Sequence, residues 1–239
     1  MPKEYLYEET LGFITPTYQP SPQQIAEVLR AGTYPPEWAF DRFLPEELQT
    51  VSRQHWTPLV VAVRVAEWLT ELRLQTVVDI GSGAGKFCVA AALAGTSRFL
   101  GVEQRPRLVK AARDLAQVFE VEARVSFIEH IFGEQPTPEA DVYYLYNPFG
   151  ENLFGPDDHL DEDVELSRER HQRDVGAVIA LLQGAPSGTC LLTYNGFGGI
   201  LPSGYREVRV DRDLPNILRM WRKVHAPAKA PSEPTPVLF

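Results

Sequence analysis

The sequence lacks the features that mark disulfide-rich, secreted and membrane proteins. Its 239 residues include only two cysteines, Cys88 and Cys190, which stand far apart in apolar runs and form no metal-binding spacing. Such sparse usage is typical of thiols packed as small hydrophobic groups in a reducing compartment. No apolar stretch is long enough to cross a bilayer, and residues 1–13 lack the apolar core of a signal peptide. A cytoplasmic protein without a membrane partner is therefore expected.

The sequence also lacks an excess of positive charge. Its formal net charge is -9, with a pI of about 5.1, so the chain as a whole does not attract nucleic acid or anionic lipid. With 44% hydrophobic and 23% charged residues, its composition is that of a globular protein. Nucleic acid is thus a disfavoured partner, although a local basic patch would escape this argument.

The chain divides into three parts by composition. Residues 1–53 are rich in proline and contain only short helical patterns, over 23–30 and 38–43, so we expect a helical cap or lid rather than a separate core. Residues 54–225 form the main domain. Residues 226–239 contain four prolines and are expected to be a loose tail.

Within the main domain, apolar patterns alternate between helical and strand periods. Helices are predicted over 59–72, with Thr57 as a possible cap, and over 86–94, 106–119 and 160–183. Strands are predicted over 76–80, 98–103, 125–131, 141–146, 189–194, 205–210 and 218–224. The alternation predicts a doubly wound, mostly parallel α/β sheet. The last two strands are too close for a helical crossover and should form an antiparallel hairpin.

The first strand runs into a glycine-rich loop, Asp79-Ile80-Gly81-Ser82-Gly83-Ala84-Gly85. In doubly wound sheets ligands bind at the carboxyl ends of the strands, where glycines let the backbone approach them closely. The spacing differs from the dinucleotide pattern G-x-G-x-x-G, because the third glycine comes one residue early and Lys86 takes its place. It also differs from the phosphate-binding P-loop, because Phe87 replaces the magnesium-binding Ser or Thr.

The second strand ends in an acid, Glu103, about eighteen residues after Gly85. A carboxylate there can accept hydrogen bonds from both ribose hydroxyls of either NAD or S-adenosylmethionine. A surface acid at a strand end is the alternative interpretation.

These segments, with Gly101-Val102-Glu103 and the stretch from Asp141 to Phe149, resemble class I S-adenosylmethionine-dependent methyltransferases. The resemblance covers roughly residues 55–225 and implies a Rossmann-like seven-stranded sheet whose final strand is inserted antiparallel. It further implies that the glycine loop holds the methionyl part, that Asp79 orients its amine, and that Glu103 binds the ribose. The implied cofactor residues of the two loops are Asp79, Gly81, Ser82, Gly83, Gly85, Glu103 and Gln104.

One position departs from the family pattern. Many members carry an acid just after the third strand, which contacts the adenine amine, whereas here Ile131 occupies that place. The adenine would then be held by the Ile131 backbone and by apolar packing, with Glu129 or His130 as alternatives.

The fourth strand ends in Asn147-Pro148-Phe149, which is related to the Asp/Asn-Pro-Pro-Tyr/Phe pattern of amino-methylating enzymes. That relation implies that Asn147 accepts a hydrogen bond from the target nitrogen and that Phe149 stacks on the acceptor, with Pro148 fixing the turn. The single proline weakens any assignment to nucleic-acid adenine. A simple strand-ending turn is the alternative.

Before the first helix of the main domain stands Gln54-His55-Trp56-Thr57-Pro58. It resembles a segment in uncharacterised bacterial methyltransferases that also carry Asn-Pro-Phe, and a weaker similarity links the chain to non-SET histone lysine methyltransferases. Thr57 and free helix N–H groups would receive the methionyl carboxylate, and Trp56 would wall the methyl donor. A helix cap with a core tryptophan is equally compatible.

The expected activity is methyl transfer from S-adenosylmethionine to an unidentified small-molecule or protein acceptor. A protein-lysine or nucleic-acid N-methyltransferase, a nicotinamide-dependent oxidoreductase and an inactive cofactor-binding protein remain alternatives. Candidate general bases are His55, His130 and Glu151. No metal is expected, because the acidic run 157–163 is better explained by acids at the N-terminus of the following helix. The oligomeric state is not indicated.

Overall fold

A seven-stranded sheet forms the centre of the protein in the computed structural model, which describes residues 19–224. The strand order is β3-β2-β1-β4-β5-β7-β6. The strands are β1 (Thr76–Ile80), β2 (Arg98–Glu103), β3 (Val125–Glu129), β4 (Val142–Leu145), β5 (Cys190–Tyr194), β6 (Tyr205–Asp211) and β7 (Leu218–Lys223). Strands β1 to β5 are parallel, whereas β7 lies antiparallel between β5 and β6. The predicted sheet and its closing hairpin are confirmed.

Seven α-helices surround the sheet in the described part of the chain. They are α1 (Pro22–Arg30), α2 (Glu37–Asp41), α3 (Glu46–His55), α4 (Leu59–Leu72), α5 (Lys86–Ala94), α6 (Pro106–Val118) and α7 (Arg168–Gly184). The strand β1 and the helix α5 have the predicted bounds, because a β-branched run and an apolar helix flank the glycine loop directly. Helix α3 was not predicted, since its many polar residues mask the few that it buries.

The start predicted for α7 at residue 160 is wrong. The helix begins at Arg168, where the Ser167 hydroxyl caps it by accepting a hydrogen bond from the Arg170 N–H. Residues 150–167 instead form a loop with short 3₁₀ turns at Gly150–Leu153 and Pro156–Asp158. Consequently the acids of the 157–163 run do not lie in the first turn of α7.

The two faces of the sheet are covered unequally. Helices α4, α5 and α6 pack on one face, together with buried residues of α1 and α2, in a single apolar core. On the other face α7 contributes Val178 and Leu182 to a second cluster. The connection between β3 and β4 contains no helix, so the second face is covered by α7 and by loop residues such as Phe132 and Phe149.

The N-terminal helices are joined to the glycine loop by a buried lysine. Lys86, the first residue of α5, is 3% exposed. Its Nζ lies 2.6 Å from Glu37 Oε2, 2.6 Å from Asp41 Oδ1 and 3.0 Å from Ser52 Oγ. Two helices of the N-terminal segment, α2 and α3, therefore converge on the residue that follows the loop. The boundary predicted after residue 53 falls inside α3, and residues 1–18 and the predicted tail lie outside the described residues.

Stacking adds to this attachment. The Phe40 ring of α2 stacks on Phe119 at the end of α6, with centroids 4.8 Å apart, and Phe43 meets the same ring edge-on. The described part of the N-terminal segment thus shares the core of the main domain. Across residues 19–224, no helix combines the length and apolarity needed to span a membrane.

Candidate cofactor and acceptor site

A cavity of about 350 Å³ opens at the carboxyl ends of the parallel strands. Its lining residues follow β1, β2, β3, β4 and β5 in turn, with others contributed by the end of α3 and the first turns of α7. This is the edge at which ligands bind in doubly wound sheets. Of the residues predicted for cofactor and acceptor, the cavity collects Trp56, Gly81, Gly83, Glu103, Gln104, Asn147, Pro148 and Phe149.

The glycine loop is held in a conformation that favours glycine. Gly81, Gly83 and Gly85 all have positive φ, between 53° and 76°, a region that side chains rarely adopt. The N–H groups of Gly81 and Ser82 both donate to the Val102 carbonyl, which ties the loop to β2. A Cβ at Gly83 would lie 2.2 Å from the Trp56 ring. Gly83 is therefore required for the packing of Trp56 as well as for the loop conformation.

Glu103 is a buried acceptor at the cavity wall. Its Oε2 accepts from the Gly83 N–H at 3.0 Å, and its Oε1 accepts from the Arg105 N–H at 2.9 Å. Burial raises the pKa of this carboxyl, although these hydrogen bonds and the Arg105 charge oppose the rise. Each oxygen retains a lone pair, because a carboxylate can accept about four hydrogen bonds. The alternative of an exposed acid at a strand end is thereby ruled out.

Two polar groups lie at the β1 end of the site. Asp79 and Ser82 line a small recess beside the main cavity, together with Thr57 and Tyr146. Burial, with a smaller contribution from the nearby Glu103 charge, raises the pKa of Asp79 to about 7, although the Cys88 thiol opposes the rise by donating to its Oδ2 at 3.3 Å. The buried Ser82 hydroxyl has no hydrogen-bond partner among the described residues. The recess therefore offers an acid and an unused hydroxyl to a polar ligand.

Trp56 and Thr57 differ from their expected arrangement in one respect. The Trp56 ring covers Gly83, and its Nε1 lies 3.4 Å from the Leu48 carbonyl. Thr57 does not cap α4, because its hydroxyl pairs with the Tyr144 hydroxyl at 3.0 Å and Pro58 occupies the cap position. Glu37 instead accepts from the Leu59 N–H, so that helix N–H group is already bonded.

The Asn147-Pro148-Phe149 segment forms the β4 side of the cavity. Asn147 has φ of 39°, and its N–H donates to the Gly196 carbonyl. Its side-chain amide makes no hydrogen bond within the described residues. Phe149 is only 6% exposed and stacks on Phe132 with centroids 5.9 Å apart. Most of its ring therefore belongs to the core, which leaves little of it for contact with an acceptor.

The position after β3 also differs from expectation. The strand ends at Glu129, two residues before its predicted end. The cavity is lined by His130 and Phe132, whereas Ile131 is not a lining residue. The His130 N–H donates to the Glu103 carbonyl, which brings the backbone after β3 against the end of β2.

An ion-pair network that no sequence motif indicated closes another wall of the cavity. The Arg105 guanidinium, 5% exposed as a residue, donates to Glu151 at 3.0 Å and to Asp161 at 2.8 Å. Arg107 donates to the second oxygen of Asp161, and the Leu160 N–H donates to Glu151. The loop 150–161 is thus fastened to the end of β2. The expected role of Asp161 at a helix N-terminus is wrong, because it binds these arginines.

Three further lining groups were not predicted. Arg170 and Asp174 form a buried ion pair on α7, and Phe154 presents a ring that is 39% exposed. Tyr143 and Tyr144 are buried in the sheet, whereas Tyr146 lines the cavity. No signal in the linear sequence identified these groups, because the loop between β4 and α7 carries no recognisable motif.

The candidate bases occupy different environments. Burial lowers the pKa of His55, although the nearby Glu151 raises it, so its neutral form is favoured as a proton acceptor. Glu151 is already bonded to Arg105 and Leu160. Within residues 19–224, no cluster of His, Cys, Asp or Glu side chains is arranged to hold a metal ion.

The comparison with known proteins finds relatives that match only part of the chain. No protein-family model matches the chain. The ribosomal protein L11 methyltransferase of Klebsiella pneumoniae (strain 342) is 36% identical over 76 residues, which is 31% of this chain and 25% of that protein. A Methanocaldococcus jannaschii protein, provisionally named a protein N5-glutamine methyltransferase, is 30% identical over 93 residues, or 39% of this chain and 46% of that protein. The chain spans less than half the length of either curated relative it matches.

Solved structures extend the resemblance across more of the chain. A crystal structure from Klebsiella pneumoniae, provisionally named an O-methyltransferase, matches with a TM-score of 0.51 at 12% identity. The match covers 80% of this chain and 91% of that chain. Such low identity speaks for the fold alone. The curated relatives confirm the predicted resemblance to methyltransferases, and the solved structure confirms the predicted Rossmann-like fold.

Proposed function

We propose that the protein is a methyltransferase that uses S-adenosylmethionine. The observation that carries the proposal is Glu103, a buried carboxylate that faces the cavity while two backbone N–H groups hold it beside the glycine loop. A fixed acceptor of this kind suits the paired hydroxyls of a ribose. When bound, S-adenosylmethionine supplies an electrophilic methyl group on a sulfonium centre.

The electrostatics favour a cationic ligand. Asp79 and Glu103 are both buried beside the glycine loop, and the Glu103 charge disfavours the ionisation of Asp79. A ligand that carries an amine and a sulfonium would offset both negative charges, whereas a pyrophosphate would add to them. The Trp56 ring also fills the space above Gly83 that a dinucleotide would approach. These features support S-adenosylmethionine over NAD.

The residues of the site are consistent with the shape of this cofactor. Glu103 would hold the ribose, and Asp79 and the unpartnered Ser82 hydroxyl would hold the polar end of the methionyl part. Trp56 and Pro148 close the loop from opposite sides, since Cβ atoms at Gly83 and Gly81 would clash with them. The chain contributes mainly position and the exclusion of water, because the donor is already reactive.

On the acceptor side we propose Asn147 as the group that orients the attacking atom. Its side-chain oxygen is free to accept a hydrogen bond from an N–H or O–H of the acceptor, and Pro148 holds the turn. Where the attacking atom arrives protonated, His55 is the favoured base because burial keeps it neutral. Phe154 supplies an exposed aromatic wall near the mouth, a role expected earlier for Phe149.

The acceptor is proposed to be a small molecule or a protein side chain. The names of both curated relatives refer to protein substrates, which supports the protein alternative. A polyanionic nucleic acid is disfavoured by the net charge of -9 and by the exposed acids Asp157 and Asp158 on a loop that borders the cavity. A cytoplasmic location agrees with both classes of acceptor.

We also propose that residues 1–53 act as a cap over the cofactor site. The convergence of Glu37, Asp41 and Ser52 on Lys86 supports a cap that is fixed in place and positions the glycine loop. Hydrogen exchange tests this proposal: amides of α1 and α2 should be protected before any ligand is added. Rapid exchange there, slowed only by cofactor, would indicate a lid that closes on binding.

Calorimetric titration with S-adenosylmethionine, S-adenosylhomocysteine and NAD tests the proposed function. We expect both sulfur ligands to bind and NAD not to bind. Glu103→Gln should weaken binding by about 1–3 kcal/mol, because a ribose hydroxyl loses its charged partner. The matched control is Glu122→Gln, at an exposed position, which should bind as the wild type does. Binding of NAD alone would reject the proposal.

A further inference from the structure

One face of helix α7 lies along the ends of β2 and β3. Arg170, Asp174 and Ala177 share this face, since they follow one another at helical spacing. The Arg170 Nη2 is 3.5 Å from Gln104 Oε1, just after β2. At the other end, a Cβ at Gly133 would lie 2.9 Å from the Ala177 Cβ, just after β3. Asp174 is therefore positioned between the two strand ends.

Arg170 and Asp174 form a buried ion pair in the cavity wall. The Arg170 Nε lies 2.9 Å from both carboxylate oxygens of Asp174, and both side chains are less than 10% exposed. Both residues line the cavity. Burying such a pair is costly and seldom adds to stability, so the pair calls for another role. Each Asp174 oxygen keeps a lone pair for a donor in the cavity.

The chemistry of the proposed cofactor directs its base toward this pair. In a nucleoside that carries an amino-acid chain, the chain at C4′ and the base at C1′ are attached at opposite ends of the ribose, on either side of the ring oxygen. With the ribose on Glu103 and the chain on the glycine loop after β1, the base extends toward β3. The cavity there is lined by Gln104, His130, Phe132, Arg170 and Asp174.

Among the residues described, three carboxylates line this cavity. Glu103 is assigned to the ribose, and Glu151 is bonded to Arg105 and Leu160 on the loop after β4. Of the three carboxylates, this leaves Asp174, at the β3 end of the cavity, to bind an amino group of the ligand. Resting on the proposed function, we infer that Asp174 recognises the exocyclic amine of the cofactor's adenine, with Arg170 holding the carboxylate in place. Helix α7 thus supplies the acid that the segment after β3 does not.

A pair of ligands that differ only at this amine tests the inference. S-adenosylhomocysteine carries the amine, whereas S-inosylhomocysteine carries a carbonyl oxygen in its place, which a carboxylate repels. Calorimetry gives the ratio of the two dissociation constants for the wild type and for Asp174→Asn. Because the ratio is internal to each variant, a partly unfolded preparation does not distort it. Asp114→Asn, at an exposed acid of α6, is the control.

We expect the wild type and Asp114→Asn to prefer S-adenosylhomocysteine by about tenfold or more, as sites built around a hydrogen bond do. In Asp174→Asn the preference should fall to about twofold or less, because an amide can face either group. An unchanged preference in Asp174→Asn, or none in the wild type, would overturn the inference. Failure of S-adenosylhomocysteine to bind the wild type would instead reject the proposed function.

If Asp174→Asn does not fold, Asp174→Glu takes its place in the same assay. This variant keeps the charge opposite Arg170 but displaces the carboxylate by one methylene. Its preference for S-adenosylhomocysteine should be reduced by about threefold or more, given the short range of hydrogen bonds. A preference equal to that of the wild type would contradict a direct contact between Asp174 and the amine.

Discussion

The two sides of the cavity are built by different means. Around β1 and β2, backbone groups do most of the positioning: the glycine loop is tied to Val102 and Glu103 through N–H groups, and three glycines have positive φ. Around the loop after β4, charged side chains fasten the wall, with Arg105 joined to Glu151 and Asp161. The glycine loop itself is thus positioned by backbone hydrogen bonds and positive φ, whereas the loop after β4 is held by side-chain ion pairs that single substitutions can release.

The largest expected effect is on the support of the glycine loop. Lys86→Met should lower the free energy of unfolding by about 3–5 kcal/mol, because it leaves Asp41 and Glu37 without their buried cationic partner. Urea denaturation measures the loss. Lys110→Met, which removes an exposed lysine paired with Asp114, should change the free energy of unfolding by less than about 0.5 kcal/mol. Equal effects of the two substitutions would mean that Lys86 does not anchor the cap.

The variant Asn147→Ala tests whether the acceptor side of the cavity can be impaired while the cofactor side keeps its affinity. Once an acceptor is found, this variant should keep most of its affinity for S-adenosylmethionine and lose about 100-fold in turnover, within the range for a misplaced reacting group. Steady-state kinetics and calorimetry on the same preparation make the comparison. Turnover at the wild-type rate would indicate that the Asn147-Pro148 segment only ends the strand and has no role in catalysis.

A substitution of Arg105 should loosen the loop after β4 without changing the glycine loop. Arg105→Met should destabilise the protein by about 2 kcal/mol and speed hydrogen exchange over residues 150–163, since Glu151 and Asp161 lose their shared partner. Amides of the glycine loop should keep their protection. Arg173→Met, at an exposed pair with Glu165, is the control and should leave both regions unchanged. Faster exchange in the glycine loop would show that the two sides are not independent.

The smallest expected effect is a pH dependence on the cofactor side. Because the pKa of Asp79 is raised to about 7 from about 3.8, the folded protein retains a proton that the unfolded chain has lost between these values. The stability should therefore fall as the pH rises through this window. Between pH 5 and pH 8 the wild type should lose about 1–2 kcal/mol more than Asp79→Asn, since relaxation reduces the burial penalty. Parallel pH profiles of the two proteins would contradict the raised pKa.

The parts of the site that were predictable from the sequence are those where one contiguous segment carries the signal. The loop from Asp79 to Gly85 and the acid at Glu103 follow directly from strands whose apolar runs are unmistakable. The structure brings Gly81, Gly83 and Glu103 together at one cavity, with Asp79 and Ser82 in the recess beside it. The antiparallel hairpin followed from the shortness of one connection. In each instance the physical cause is local, or is fixed by the rule that parallel strands end at one edge.

The remaining features depend on distant side chains. The Arg105–Asp161 pair and the three partners of Lys86 join segments whose approach depends on the packing of whole helices. The Arg170–Asp174 pair lies within α7, and only the packing of that helix brings it to the cavity. The acids of the 157–163 run suggested a helix start because their charge suits one, yet Ser167 supplies the cap and Asp161 binds arginine. Helix α3 was missed because it buries only Leu48 and Ser52, too few to produce a clear period.

A crystal structure of the protein with S-adenosylhomocysteine tests the central claim most directly. The account predicts both ribose hydroxyls within hydrogen-bonding distance of the Glu103 carboxylate, the amino-acid end at Asp79 and Ser82, and the base beside Asp174. Density for the ligand outside this cavity, or bound within it without contact to Glu103, would contradict the account.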